Sequence, residues 1–246
     1  MKQVIKDIIN RTGYSIVRTK ALNAPQKQLP VTRTDFFNLY FSRVPKDFFF
    51  LQIGANDGVI NDPIHEYVVK YALQGMAVEA QPDVFVRLCE TYRSTRVECV
   101  NAAVGTSDLK FYTVKSSMMN DANFSAMTCI ASFNKKVMTG LLKKNIPEGA
   151  DPAEYLDENA VPVMSFDDLV QFYNIKKIDM LQLDCEGYDH ELLKAFDFDR
   201  FSPSLINFES VFFSDKIREE IESMLTARGY RLFRDGVWDT CAYKVD

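Results

Sequence analysis

Nowhere in this chain do apolar residues run for the roughly 20 positions that a membrane-spanning helix needs. The N-terminal stretch MKQVIKDIINRTGYSIV breaks its apolar positions with charges too often for a secretory leader. No Cys-x-x-Cys pair occurs, and Cys89, Cys99, Cys129, Cys185 and Cys241 are odd in number and widely spread, so neither a disulfide framework nor a zinc site is indicated. Small, buried, apolar roles are expected of them. An excess of basic charge is also missing. The 29 Lys and Arg against 34 Asp and Glu leave a formal net charge of -5, which speaks against a protein built to neutralise nucleic-acid phosphates. There are only two histidines, no internal repeat and no low-complexity tract. What is present is 246 residues, 47% hydrophobic and 26% charged, enough for one sizeable core in a cytoplasmic protein.

The chain divides unevenly. Val4, Ile5, Ile8 and Ile9 fall at helical spacing, with Lys2, Lys6 and Arg11 for another face. This predicts a short amphipathic helix, suited to packing on its own domain or a second subunit more than to a membrane surface. Asn23 to Pro30 has no periodicity and two prolines, so residues 1–30 read as helix plus linker and 31–246 as the main domain. From Asp47 onward, apolar runs of strand length alternate with helical stretches, the pattern of a doubly wound α/β fold with a largely parallel sheet. Expected strands are 48–53, 76–79, 97–102, 178–183 and 205–209. Expected helices are 60–72, 82–92, 188–196 and 214–227, Pro82 opening the second of these and Gly229 following the last. Residues 116–160 are polar and Met-rich with Pro147, Gly149 and Pro152, and read as an inserted, lid-like segment. Asp235-Gly236 signals a two-residue hairpin between 230–234 and 237–245.

In such a sheet, ligands bind beyond the carboxyl ends of the strands, where the strand order reverses. The first strand runs into Gly54-Ala55-Asn56-Asp57-Gly58 and the second ends in Glu79. A glycine turn allows close backbone approach, and a carboxylate at the second strand's tip can accept from both ribose hydroxyls, so a nucleoside cofactor is expected. The spacing is not G-x-G-x-x-G, which disfavours a pyrophosphate, although the ribose contact alone would also suit NAD. At the end of the fourth strand, Asp184-Cys185-Glu186-Gly187 brings two carboxylates to one side if strand geometry persists past Leu183. Their repulsion and desolvation would raise one pKa, as a general base for a hydroxyl needs. Glu186 and Asp189 can instead serve the dipole of the following helix. Glu209 reaches the same edge, where it could touch substrate or a hard cation. Its spacing fits no particular metal motif, and no metal is assigned. His65 and His190 are read as structural.

Taken together, Phe50-Leu51-Gln52-Ile53-Gly54-Ala55-Asn56-Asp57-Gly58, Val78-Glu79, Asn101-Ala102-Ala103-Val104 and Leu183-Asp184-Cys185-Glu186-Gly187-Tyr188-Asp189 resemble, in order and spacing, the FkbM family of S-adenosylmethionine-dependent methyltransferases. The resemblance implies a class I methyltransferase fold, mostly parallel with a terminal antiparallel hairpin. It also implies O-methylation of a hydroxyl on a sugar, such as a surface-glycan precursor, or on a secondary metabolite. By position, Gly54, Ala55, Asn56, Asp57 and Gly58 would line the methionine part, Glu79 the ribose, and Asn101, Ala102 and Ala103 the adenine, with Asp184 and Glu186 facing the methyl group. The pattern usually has an acid where Gln52 stands and often a lysine where Gln182 stands. On neighbouring strands, this predicts a neutral amide pair in place of an ion pair. A nicotinamide-dependent oxidoreductase and a binding module without turnover are the rival readings. The stretch Asn120 to Asn134, with Phe124 and Phe133, offers amides, hydroxyls and rings to a sugar.

Overall fold

The computed structural model describes residues 32–106, 110–115, 131–159 and 161–244. The expected N-terminal helix and linker, Cys129, and Asn120 to Ile130 of the inserted segment lie outside them. A seven-stranded sheet dominates, in the order β3 (Arg96–Asn101), β2 (Gln74–Glu79), β1 (Phe49–Ile53), β9 (Met180–Leu183), β10 (Leu205–Glu209), β12 (Asp239–Lys244), β11 (Tyr230–Asp235). Only β12 runs against its neighbours. The strand order reverses between β1 and β9, which makes that edge the switch point. The five expected core strands are all present, within two residues at their ends.

The sheet is buried on both faces, which is why its inner strands read as unbroken apolar runs rather than alternating ones. Leu51, Ile53, Leu181, Leu183, Ile206 and Phe208 pack on one face against α5 (Phe166–Phe172), α6 (Asp189–Ala195) and α7 (Asp215–Ala227). On the other, Phe50, Ala77, Met180 and Leu205 meet α1 (Arg33–Phe41), α2 (His65–Tyr71) and α3 (Pro82–Tyr92). Helix α1 was not expected from the sequence. Thr32 caps it by accepting from the Asp35 amide at 3.1 Å, and Phe37 and Phe41 stack its inner face on Tyr67.

Several boundaries differ from expectation for local reasons. Helix α2 starts at His65 rather than near Ile60, because the Asp62 carboxylate accepts from the amides of Ile64 (2.8 Å) and His65 (3.0 Å) and sets its first turn there. The terminal hairpin closes with Asp235 opposite Asp239, leaving three turn residues, Gly236, Val237 and Trp238, instead of two. That register brings both aspartates to Arg33 of α1. The described part of the inserted segment is not a plain loop. β5 (Phe111–Val114) pairs with β6 (Ala131–Ser132) and β7 (Leu156–Asn159), and α4 (Lys135–Lys143) seals a small core of Tyr112, Val114, Met138 and Leu142. β4 (Ala103–Val104) and β8 (Val163–Met164) form a separate pair. Of the described cysteines, Cys89, Cys99 and Cys185 are half-buried and only Cys241 is buried. No helix among the described residues is long and apolar enough to cross a membrane.

Candidate functional site

A cavity of about 740 Å³ opens along the carboxyl edge of the sheet. Its β1 end is built by tight backbone turns. Gly54 has φ 77°, and a Cβ there would lie 1.9 Å from the Asp184 carbonyl oxygen, so no other residue lets β1 and β9 approach this closely at the switch point. The amides of Gly54 and Ala55 both donate to the Val78 carbonyl at 3.0 Å, which folds the turn over the end of β2. The next amide, of Asn56, donates to Glu79 Oε2 at 3.0 Å, while the Gln81 amide donates to Oε1 at 2.7 Å. Glu79 is thus fixed by two backbone donors, with lone pairs left over for a ligand. Burial nevertheless pushes its pKa up to about 7, against the lowering effect of those hydrogen bonds.

Gly54, Ala55, Asn56, Glu79, Ala102, Ala103, Asp184 and Glu186 all line this cavity. Three other residues assigned to the cofactor from sequence do not, and each has a structural task instead. The Asp57 carboxylate accepts from the amides of Val59 (3.0 Å) and Ile60 (2.8 Å), closing the turn upon itself. Gly58 has φ 75° and faces α3, where a Cβ would come within 2.8 Å of Tyr92 and 2.9 Å of Leu88. The Asn101 amide donates to the carbonyls of Glu79 (2.8 Å) and Ala80 (3.2 Å) and holds the end of β2 against β3.

The opposite wall is acidic. The strand geometry does not persist past Leu183: Glu186 has φ 48° and Gly187 φ 90°, and this turn, not strand alternation, brings both Asp184 and Glu186 to the cavity. Asp189 opens α6, but its carboxylate reaches across, accepting from the amides of Cys185 and of Glu209, each at 3.1 Å. It therefore ties the β9 turn to the end of β10 as well as sitting at a helix start. Burial, then the nearby Asp184 charge, raise its pKa to about 7. Burial also raises Asp184, Glu186 and Glu209 above the carboxylate range; the Asp62 charge adds to the rise at Asp184, and the charges of Asp184 and Asp189 add to it at Glu186 and Glu209. Glu209 is 8% exposed, lines the cavity, and its Oε2 has no hydrogen-bond partner.

Gln52 and Gln182 are register partners on β1 and β9, as expected, yet their amides do not bond to each other. Gln52 Nε2 donates to Asp62 Oδ2 at 3.1 Å, and Gln182 Oε1 accepts from Asn207 Nδ2 at 3.0 Å. Gln52 Oε1 is left buried and unpartnered. The sequence reading missed Asp62, a half-buried cavity acid whose pKa is raised by desolvation, and Arg33, which lines the cavity while paired with Asp235 and Asp239. An acid a few residues past the glycine turn and just before Pro63 was a usable signal for the first. Nothing local marked the second. From the inserted segment, Ser132 Oγ donates to the Glu186 carbonyl at 2.7 Å and Phe133 packs on Tyr188 at 4.9 Å between ring centres, so this segment braces the acidic turn. Trp238 of the hairpin tip also lines the cavity while remaining 61% exposed.

The family model described as methyltransferase FkbM domain matches residues 52–232. Among curated proteins, no match was found. Solved structures with a similar chain path include the precorrin-6y C5,15-methyltransferase of Geobacter metallireducens, at 13% identity and TM-score 0.42, covering 90% of this chain and 93% of that one. The methyltransferase PaMTH1 of Podospora anserina, bound to S-adenosylhomocysteine, also gives 13% identity and TM-score 0.42, over 100% of this chain and 89% of its own. The fibrillarin pre-rRNA processing protein of Methanococcus jannaschii gives 12% and 0.40, over 82% and 70%. Likenesses at these scores lend no weight to any reading of the site.

Proposed function

Because the chain belongs to the FkbM methyltransferase family, with S-adenosylmethionine as its methyl donor, we propose that it methylates a hydroxyl oxygen of a small acceptor, a sugar of a glycan precursor or a secondary metabolite. The observation that carries this reading is the pair Asp184 and Glu186 on one cavity wall, both raised by burial toward the range where a carboxylate can take a proton near neutrality.

The residues at the β1 end suit the donor. Glu79 keeps lone pairs free for ribose hydroxyls, Ala80, Ala102 and Ala103 make a small apolar wall for a base, and the cavity's volume falls in the usual range for a ligand of this size. When bound, S-adenosylmethionine supplies a methyl group already activated on a sulfonium. The protein's remaining work is to align the acceptor oxygen, exclude water and accept the hydroxyl proton, which we assign to Asp184 or Glu186. Trp238 and Phe133 offer ring faces to the C–H groups of a sugar at the cavity.

The test is a labelled-methyl transfer screen on the full chain with neutral sugars, amino sugars and hydroxylated metabolites, and with nucleic acid and protein as controls. Label recovered as a methyl ether on a small acceptor supports the reading. Label in nucleic acid or protein overturns it.

A further inference from the structure

The wall that would meet the acceptor contains several acceptors and lacks a free cation. Asp184, Glu186 and Glu209 line it, with Asp189 immediately behind. Arg33 is the one cationic side chain among the described residues lining the cavity, and its guanidinium is committed to Asp235 and Asp239. Two buried oxygens of the lining have no partner at all. Glu209 Oε2 belongs to a residue 8% exposed, and Gln52 Oε1 to one 2% exposed, on strands that flank β9 on either side. A buried oxygen without a donor costs free energy that only a ligand or solvent can return. Gln52 Oε1 can only accept, and so can Glu209 Oε2 once ionised, so a ligand group that completes them donates hydrogen bonds, and a positively charged donor is favoured because it also draws Glu209 into its ionised form. A metal ion fits poorly, because no three acidic, His or Cys side chains among the described residues are arranged to hold one.

We infer that the acceptor carries an ammonium group close to the hydroxyl to be methylated, as in an amino sugar or amino alcohol, and that Glu209 is the residue selecting it. This rests on the methyltransferase reading above. The donor by itself brings one net positive charge to the cavity, which leaves the Glu209 end of the wall uncompensated. An ammonium supplies several N–H donors in one compact group and lets the carboxyls around it ionise. It also withdraws electrons from the neighbouring hydroxyl and makes its proton easier for Asp184 or Glu186 to take.

Calorimetric titration of the full chain, saturated with S-adenosylhomocysteine, tests this, because that nucleoside lacks the sulfonium charge. The probes are glucosamine, N-acetylglucosamine, glucose and glucuronate. Glucosamine is expected to bind at least about tenfold more tightly than the neutral sugars, a difference of about 1.4 kcal/mol. Glu209→Gln should abolish that preference while keeping the affinity for S-adenosylhomocysteine, which reports that the variant is folded. Equal binding of glucose and glucosamine, tighter binding of glucuronate, no sugar binding, or a preference that survives Glu209→Gln would each overturn the inference and leave the methyltransferase reading standing. Failure of S-adenosylhomocysteine to bind the native chain would remove both.

Discussion

The two ends of the cavity are made in opposite ways. At the β1–β2 end, the turn is held mainly by backbone: the Val78 carbonyl takes two amides, Glu79 takes two more, and Asn101 closes the corner, although Gln52 Oε1 on β1 is left unmet. At the β9–β10 end, Asp184, Glu186 and Glu209 crowd together, one oxygen has no partner, and support comes from distant segments, namely Ser132 of the insertion and Asp189 of α6. A finished, locally built end suits a ligand that does not vary. A strained, acidic end assembled from remote pieces suits chemistry and selection, since unsatisfied carboxyls are kept only where a ligand completes them.

The contrast makes its largest prediction for turnover. Asp184→Asn and Glu186→Gln should separate the ends: at least one lowers the methyl-transfer rate by roughly 10²–10⁴-fold, as loss of a general base does, while calorimetry shows S-adenosylhomocysteine binding retained. Near-native turnover in both would move the base elsewhere. Next in size, Glu79→Ala should weaken S-adenosylhomocysteine about 100-fold, the loss of two charge-assisted hydrogen bonds. An unchanged dissociation constant would detach Glu79 from the nucleoside.

Stability probes sharpen the comparison further. Gln52→Glu sets a second carboxylate against Asp62 Oδ2 and should cost about 1–3 kcal/mol in thermal melts. Combining it with Gln182→Lys should recover little, because the two native amides do not bond to each other. Strong coupling in that double-mutant cycle would restore the expected cross-strand pair. With pH the sign is set by burial. Glu79 and Asp189, each raised to about 7, bind protons more tightly in the folded chain than at the ordinary carboxylate values near 4. Their stabilising contribution is therefore complete below about pH 4 and lost as pH rises through 7. The melting temperature of the unliganded chain should fall between pH 5 and pH 8 by more than that of Glu79→Gln. The smallest effect is expected from Arg33→Ala, about 1 kcal/mol for a partly exposed ion pair, read as a modest drop in melting temperature that high salt reduces in the native chain.

Much of the fold is legible in the residues. Apolar runs of five or six residues spaced by helical periods announce the parallel core, and Ser214 and Gly229 bracket the last helix where the sequence signals put its ends. At the cavity, the placement of the glycine turn, Glu79, Asp184 and Glu186 follows from position alone, because each follows a strand and so comes to the sheet's carboxyl edge. The expected residues that do not line the cavity share one cause. Asp57, Gly58 and Asn101 stand in the same stretches, but whether a side chain faces the ligand or its own loop depends on the turn's dihedral angles, which residue type does not specify. Asp62 and Arg33 are near no motif and reach the cavity through the cap of α2 and the packing of α1.

The alternation of strands and helices, the gathering of acids at one sheet edge and the motifs that resemble a methyltransferase family were thus legible in the sequence itself, through hydrophobic period, glycine placement and the acids that follow strands. Only the tertiary structure decided which of those acids share one cavity, that Gln52 answers Asp62 rather than Gln182, and that Glu209 is left without a partner. The physical reason is range. Periodicity and turn chemistry act between residues a few positions apart, whereas desolvation and charge repulsion depend on what the folded chain brings together across more than a hundred residues.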